Sequence, residues 1–181
     1  MSKIALGAVQ FGIDYGINSE NGQVQPEEVR SILNYAHSQN IDLLDTAPAY
    51  GNSEKVLGVA NVQNFKVVTK TRHFNNTEIS NSDIDLLKKD FSCSLTDLRQ
   101  ESFYGVLVHN ASDLLKSGAE KLYDHLQELK QAKKIEKIGV SVYDYSQLQS
   151  ILDNFDIDLV QLFSFLSLIV ALDQYLLFNN L

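Results

Sequence analysis

The sequence predicts an α/β fold of the (β/α)8 or TIM-barrel type, incomplete, with about six βα units. Short apolar runs alternate with helical patterns along most of the chain, which is typical of parallel βαβ units. Successive units start about 31 residues apart, close to the length of a βαβ step. No Gly-x-Gly-x-x-Gly follows the first run, where an open dinucleotide-binding sheet would carry it. These observations favour a barrel over an open sheet.

Six apolar, often β-branched runs are predicted as strands. They are residues 3–9, 41–45, 65–70, 103–109, 137–142 and Leu159–Leu162. Each run except the last is followed by polar sequence or a helical pattern, so the predicted strands are parallel. Together they define residues 1–162 as one partial barrel.

Four helices are predicted between these strands. The first begins at Pro26, with Glu27 and Glu28 in its positively polarised first turn. Its apolar residues recur at helical spacing, at positions 29, 32, 33 and 36. The second helix carries an apolar face from Ile84 to Leu98, the third spans residues 120–133, and the fourth spans residues 146–152. Each would cover one face of the strands.

The last part of the chain departs from this pattern. Residues 163–181 are predicted to be a divergent apolar tail, helical and packed on the barrel. A closed barrel takes eight units and about 250 residues, whereas this chain has 181. We therefore expect a C-terminally truncated barrel that self-associates through its open edge.

Composition excludes several classes of protein. The chain has 15 Lys and Arg against 23 Asp and Glu, a net charge of −8, so a nucleic-acid partner is not expected. Its longest apolar stretch, residues 159–172, is interrupted by polar residues and is shorter than the roughly 20 residues of a membrane helix. A single cysteine and the lack of a secretory signal predict a cytoplasmic protein. No His, Cys or Asp cluster has ligand spacing, so no metal is expected.

Ionisable residues stand where three predicted strands end. Asp45 ends the second strand, Lys70 the third and His109 the fourth, and Tyr50 follows Asp45 in the next loop. Barrel enzymes build their active sites at this end of the strands. A phenol has a pKa of about 10, and a nearby ammonium favours its ionised form. A carboxylate would in turn keep a desolvated lysine charged, so Asp45, Lys70 and Tyr50 form a plausible acid–base unit.

Six segments resemble the aldo-keto reductase family. They are LGAVQFG at residues 6–12, LDTA at 44–47, AYGNSE at 49–54, TK at 69–70, VH at 108–109 and IGVS at 138–141. The resemblance runs from about residue 3 to 162 and follows the βα order. It implies an NAD(P)H-dependent oxidoreductase that reduces a small aldehyde or ketone to an alcohol. Tyr50 would donate the proton, with Asp45, Lys70 and His109 completing the catalytic tetrad.

The same resemblance implies a set of cofactor contacts. Ser141 and Gln161 match the residues that hold the nicotinamide carboxamide in relatives, and Val9, Gln10 and Asp45 would face the nicotinamide ribose. NADP(H) is expected rather than NAD(H). Val142 stands where relatives have an asparagine. The seventh and eighth units are missing. In relatives these units bind the pyrophosphate and the 2′-phosphate, so we expect cofactor binding to be weakened or lost.

Two other functions stay open from the sequence. The first is a catalytically inactive, truncated reductase without a competent cofactor site. The second is a barrel aldolase that forms a Schiff base on Lys70. The identity of the carbonyl substrate is not predicted, because loops set specificity in such barrels.

Overall fold

The computed structural model of the chain describes residues 4–16, 22–162 and 168–171. The chain divides into two compact units. The first consists of Met1–Arg72 and Asp85–Tyr104, and the second of His73–Ile84 and Gly105–Leu181. Within the described residues, no helix combines the length and the apolar character needed to cross a membrane.

Parallel strands organise the first unit. β1 (Leu6–Gly7) pairs with β2 (Leu43–Asp45), and β2 pairs with β3 (Lys66–Lys70). Its helices are α1 (Val9–Gly12), α2 (Pro26–Ser38), α3 (Ser53–Ala60) and the part of α4 (Asn81–Leu98) from residue 85 onward. β1 is shorter than predicted because helix α1 begins at Val9. β4 (Phe103–Val108) starts in this unit and continues in the second.

Helix α2 follows directly from its sequence. Pro26 is its first residue, since a missing N–H costs nothing there, and Glu27 and Glu28 lie in the first turn. Val29, Leu33 and Ala36 form its buried face, and Asn40 with a φ of 59° follows its end. The predicted first helix is confirmed.

Helix α3 is absent from the sequence-based prediction. Its buried face contains Ser53 and Glu54 together with Leu57 and Gly58, so polar residues interrupt the apolar period. A side chain at Gly58 would clash with the backbone carbonyl oxygen of Asp97 in α4. This glycine therefore permits close packing of α3 against α4.

The second unit continues the alternation of strands and helices. After β4 come a 3₁₀ segment (Ala111–Leu115), α5 (Ala119–Gln131), β5 (Ile135–Val142), α6 (Tyr145–Leu152) and β6 (Leu159–Leu162). β5 and β6 are parallel, with Gly139 opposite Leu159 and Val142 opposite Leu162. Apolar residues from α5, β5 and α6 are fully buried here, among them Leu122, Leu126, Ile138, Val140 and Ile151. The predicted helices over residues 120–133 and 146–152 are confirmed to within a few residues.

The tail contains a strand where a helix was predicted. β7 (Leu168–Ala171) pairs antiparallel with β6, with Leu162 opposite Leu168 and Leu159 opposite Ala171. The helical prediction is wrong for these four residues, because the β-branched Ile169 and Val170 suit a strand and the edge of β6 offers hydrogen bonds. The other residues of the predicted tail, 163–167 and 172–181, lie outside the described residues. The described residues thus carry six strands in βα succession, those of an incomplete (β/α)8 barrel.

Candidate active site

The first unit brings three of the predicted site residues into contact. Asp45 is the last residue of β2, Lys70 is the last residue of β3, and Tyr50 lies in the loop between β2 and α3. The register of the parallel strands places Asp45 opposite Gly7 on one side and Val68 on the other. Because the carboxyl ends of parallel strands lie at one edge, the side chains that follow them converge.

Lys70 is the centre of this group. Its ammonium donates a hydrogen bond of 2.6 Å to Oδ1 of Asp45, one of 3.1 Å to the carbonyl oxygen of Thr46, and one of 3.1 Å to the hydroxyl of Tyr50. The three donors of an ammonium are therefore all used. Nζ also lies 4.8 Å from the centre of the Tyr50 ring. The lysine is only 2% exposed, which leaves its charge dependent on these partners.

Burial and charge act against each other on Lys70. Burial lowers the pKa of its amine below the usual value of 10.5, since a charged group loses hydration in the interior. The charge and the hydrogen bond of Asp45 oppose this shift, and the charge of Glu54 opposes it further. Asp45 is itself buried and forms the ion pair with Lys70 at 2.6 Å. The carboxylate therefore favours the ammonium form in a site that disfavours any charge.

Backbone and hydroxyl contacts fix the loop that carries Tyr50. The hydroxyl of Ser53 donates to the carbonyl oxygen of Ala8 at 2.8 Å and lies 3.1 Å from the hydroxyl of Thr46. The N–H of Ser53 donates to the carbonyl oxygen of Tyr50 at 3.1 Å. A side chain at Gly12 would clash with that same carbonyl oxygen. A glycine in α1 is therefore needed for the loop to approach this closely.

The predicted ribose contacts lie beside this group. Ala8 donates its N–H to the carbonyl oxygen of Asp45 at 2.8 Å, which brings the start of α1 next to β2. Val9 is half-buried and Gln10 is exposed. The side-chain amide of Gln10 donates to the carbonyl oxygen of Tyr15 at 3.0 Å. The first unit therefore places Val9 and Gln10 near the backbone of Asp45.

His109 belongs to the second unit. It follows the last residue of β4 and is half-buried. Its ring meets the ring of His73 edge to face, with the centroids 4.3 Å apart. Phe74, next to His73, is held by the ammonium of Lys116, which donates to its carbonyl oxygen at 2.6 Å and to Asp113 at 2.6 Å. Lys116 thus anchors the segment next to His73, the residue that contacts His109.

Ser141 and Gln161 are paired in the second unit. They stand opposite each other in the ladder between β5 and β6 and are 1% and 4% exposed. The hydroxyl oxygen of Ser141 is buried without a hydrogen-bond partner among the residues that the structure describes. A buried hydroxyl normally has a partner. Its open donor and acceptor positions fit an amide such as the nicotinamide carboxamide.

Glu54 is a buried residue of the first unit to which the sequence analysis assigned no role. Its two carboxylate oxygens accept hydrogen bonds from the hydroxyls of Thr69, at 2.7 Å, and Ser94, at 2.8 Å. Burial raises the pKa of this carboxyl above its usual 4.5; the two hydroxyl bonds lower it, and the charges of Asp97 and Asp90 raise it further. An acid on the inward face of a helix is the sequence signal that could have identified Glu54. Because helix α3 was not predicted, the sequence did not show that this face is buried.

In the described part of the chain, no three His, Cys, Asp or Glu side chains lie together in a group that could hold a metal ion.

Comparison with known proteins identifies the family. The aldo/keto reductase family matches residues 3–169. A solved structure from Pseudomonas aeruginosa, described as an aldo-keto reductase, is 26% identical with a TM-score of 0.71, and the match covers 89% of this chain and 62% of that one. The glycerol dehydrogenase of Gluconobacter oxydans is 25% identical with a TM-score of 0.62, over 90% of this chain and 51% of its own.

A third structure shows likeness of fold alone. It is an aldo/keto reductase from Klebsiella pneumoniae in complex with NADP and acetate, 19% identical with a TM-score of 0.64, over 86% of this chain and 51% of that one. No curated protein sequence matches the chain. The chain thus spans between 51% and 62% of the length of these three structures. With its family match over residues 3–169 and an incomplete (β/α)8 fold, this chain belongs to the aldo/keto reductase family.

Proposed function

We propose that this chain reduces an aldehyde or ketone to an alcohol with NAD(P)H, and that Tyr50 donates the proton. The observation that carries the proposal is the contact of Tyr50 with a buried lysine that is paired with Asp45. The family acts by NAD(P)H-dependent oxidoreduction of carbonyls. Because the chain spans between 51% and 62% of the three solved structures described above, its own activity is a proposal that needs a direct test.

The three residues of the first unit handle the proton. Tyr50 transfers its phenolic proton to the carbonyl oxygen of the substrate. The ammonium of Lys70, which donates to the hydroxyl of Tyr50 at 3.1 Å, stabilises the phenolate left behind. Asp45 keeps Lys70 charged against burial. A bound nicotinamide cofactor would supply the hydride that adds to the carbonyl carbon.

Two groups of residues would hold that cofactor. By the family resemblance, the hydroxyl of Ser141 and the amide of Gln161 would hold the carboxamide, while Val9, Gln10 and Asp45 would face the ribose. We propose NADP(H) rather than NAD(H); the structure from Klebsiella pneumoniae, a relative in fold, is a complex with NADP. His109 would donate a hydrogen bond to the carbonyl oxygen of the substrate and orient it.

The test is NADPH consumption, followed optically, with a panel of small aldehydes and ketones. We expect consumption by the wild-type chain and its loss in Tyr50→Phe, which removes only the phenolic hydroxyl. Binding of NADPH, followed through its fluorescence, separates loss of chemistry from loss of cofactor. Unchanged turnover in Tyr50→Phe would falsify the assignment of Tyr50.

A second candidate is a catalytically inactive member of the family without a competent cofactor site. One observation favours it: the apolar Val142 follows Ser141 on β5, at the position where the family resemblance implies an asparagine. Binding of NADPH at micromolar concentration would contradict it. Absence of binding together with a folded chain would support it.

The aldolase alternative requires a neutral Lys70 amine as nucleophile. Burial favours the neutral amine, but the 2.6 Å contact with Asp45 favours the ammonium, which cannot attack a carbonyl. Borohydride reduction in the presence of a carbonyl substrate would trap a Schiff base on Lys70. We expect no trapped adduct.

Three further expectations accompany the main proposal. They are a cytoplasmic location, no nucleic-acid partner, and self-association through the open edge of the sheet. Light scattering across a range of concentrations tests the last of these. A constant mass equal to one chain would contradict self-association.

A further inference from the structure

Glu54 is a buried acid that the proposed proton transfer does not use. It is 6% exposed on the inward face of α3. Each of its two oxygens accepts a hydroxyl hydrogen bond, Oε1 from Thr69 of β3 at 2.7 Å and Oε2 from Ser94 of α4 at 2.8 Å. One carboxylate thus joins two helices and a strand of the first unit.

The contact with Thr69 reaches the residue directly before Lys70. Successive side chains of a strand point to opposite faces, and the contacts agree. Thr69 faces Glu54, whereas Lys70 faces Asp45 and Tyr50. Glu54 therefore holds the end of β3 from the face opposite to the candidate site.

The same acid is close in sequence to Tyr50. Helix α3 begins at Ser53, whose N–H donates to the carbonyl oxygen of Tyr50, and Glu54 is the next residue. Glu54 thus ties the helix that follows Tyr50 to the strand that ends at Lys70. The two elements that carry Lys70 and Tyr50 are therefore joined through Glu54.

Glu54 is also linked to its surroundings by charge, and burial, its largest influence, raises its pKa. Asp90 and Asp97 of α4 face it and disfavour its ionisation, while the hydroxyls of Thr69 and Ser94 favour the anion. Across β3, the anion of Glu54 joins Asp45 in favouring the ammonium of Lys70. Glu54 is therefore linked to Lys70 by charge as well as by structure.

We propose that Glu54 is a positioning residue of the carbonyl-reducing site, one that holds Lys70 charged and in contact with Tyr50 through the β3–α3 tie. The inference rests on the proposed function for its catalytic consequence. The contacts of Glu54 and its effect on the charge of Lys70 are properties of the free protein, so they can be measured without cofactor or substrate.

The test uses Glu54→Gln, which keeps the size of the side chain and removes its charge. The control is Glu28→Gln, which removes an exposed acid from α2. Lysine side chains labelled with ¹³C and ¹⁵N are titrated by NMR, and the Lys70 signal is assigned through its loss in Lys70→Arg. We expect the titration midpoint of Lys70 to move to lower pH in Glu54→Gln and to stay unchanged in Glu28→Gln. A folded Glu54→Gln protein with the wild-type midpoint overturns the proposal.

A second measurement covers the case in which Glu54→Gln does not fold. In the wild-type chain, the carboxyl signal of Glu54 and the ammonium signal of Lys70 are followed over the same pH range. We expect Lys70 to show an additional inflection at the pH where Glu54 titrates. A Lys70 signal that stays flat there overturns the proposal.

Activity then separates the two proposals. If the chain reduces carbonyls, Glu54→Gln lowers kcat about tenfold while KM for NADPH and the activity of Glu28→Gln stay at the wild-type values. Full kcat in Glu54→Gln rejects the positioning role and leaves the reductase proposal standing. A chain without activity in which the two signals are nevertheless coupled rejects the reductase proposal and leaves the tie between Glu54 and Lys70 standing.

Discussion

The buried ammonium of Lys70 in the first unit is fully paired within that unit, whereas the buried hydroxyl of Ser141 in the second unit has no partner among the described residues. Lys70 uses its three donors on Asp45, Thr46 and Tyr50 inside the first unit. In the second unit, Ser141 stands opposite Gln161 with a buried hydroxyl that has no partner among the described residues. Charged groups need partners to stay charged when they are buried, and a buried hydroxyl without a partner in the fold can still form a hydrogen bond with a ligand. Within the described residues, the buried charges of Lys70 and Asp45 are thus paired inside the first unit, while the buried hydroxyl of Ser141 remains able to bind a ligand.

The largest expected effect tests the chemistry of the first unit. Tyr50→Phe removes the phenol that we propose as proton donor, and we expect kcat for carbonyl reduction to fall by about 10²–10⁴. Tyr145→Phe is the control, because that tyrosine is 74% exposed. Steady-state NADPH oxidation measures both. Similar turnover in the two variants would mean that the phenol of Tyr50 has no role.

Breaking the ion pair tests how far the first unit depends on its own charges. Lys70→Met removes the ammonium that forms the ion pair with the buried Asp45, and we expect the free energy of unfolding to fall by about 3–5 kcal/mol. Lys66→Met removes a lysine from the other end of β3, whose pair with Asp42 spans 4.0 Å and is about 42% exposed on each side chain. Its loss should cost only about 0–1 kcal/mol. Urea denaturation measures the free energy of unfolding of both variants. Equal losses would show that the buried Lys70–Asp45 pair stabilises the fold no more than the exposed Lys66–Asp42 pair does.

The buried hydroxyl of Ser141 in the second unit predicts the opposite pattern, in which a substitution affects ligand binding more than stability. Ser141→Ala removes a hydroxyl that has no described partner, so we expect the free energy of unfolding to stay constant or to rise by up to about 1 kcal/mol. The same change should weaken NADPH binding by about two- to tenfold, because it removes the hydrogen bond that we propose between Ser141 and the carboxamide. Ser92→Ala, at an exposed position of α4, is the control. A strongly destabilised Ser141→Ala protein would show that the hydroxyl serves the fold.

The smallest effect concerns pH. The pKa of Glu54 is raised on folding, so the folded chain binds more protons than the unfolded chain above pH 4.5. The contribution of Glu54 to stability is therefore present below that pH and is lost as the pH rises through the raised pKa. Glu54→Gln lacks this dependence. Relative to the wild type, its free energy of unfolding should rise with pH across this range, and a constant difference would contradict the raised pKa.

The sequence predicted some elements of the fold correctly and missed others. Helix α2 was predictable because Pro26, the first-turn acids and the apolar spacing are all local signals. Helix α3 was not, because its buried face includes Ser53 and Glu54, whose partners lie elsewhere. Strand β7 was not, because a short apolar run fits strand and helix alike until the neighbouring strand edge is known. Asp45, Tyr50, Lys70 and His109 were found from strand ends and the family motifs, but their catalytic roles stay predictions.

The sequence by itself determined the alternation of strands and helices, because hydrophobic period and end signals are local properties. It also determined that Asp45 and Lys70 stand at the ends of neighbouring strands. Only the tertiary structure decided that the ammonium of Lys70 contacts both Asp45 and Tyr50. It also decided that Glu54 binds both Thr69 and Ser94, the latter 40 positions from Glu54 in the sequence. Such contacts depend on how separate elements pack, and no period in the sequence encodes them.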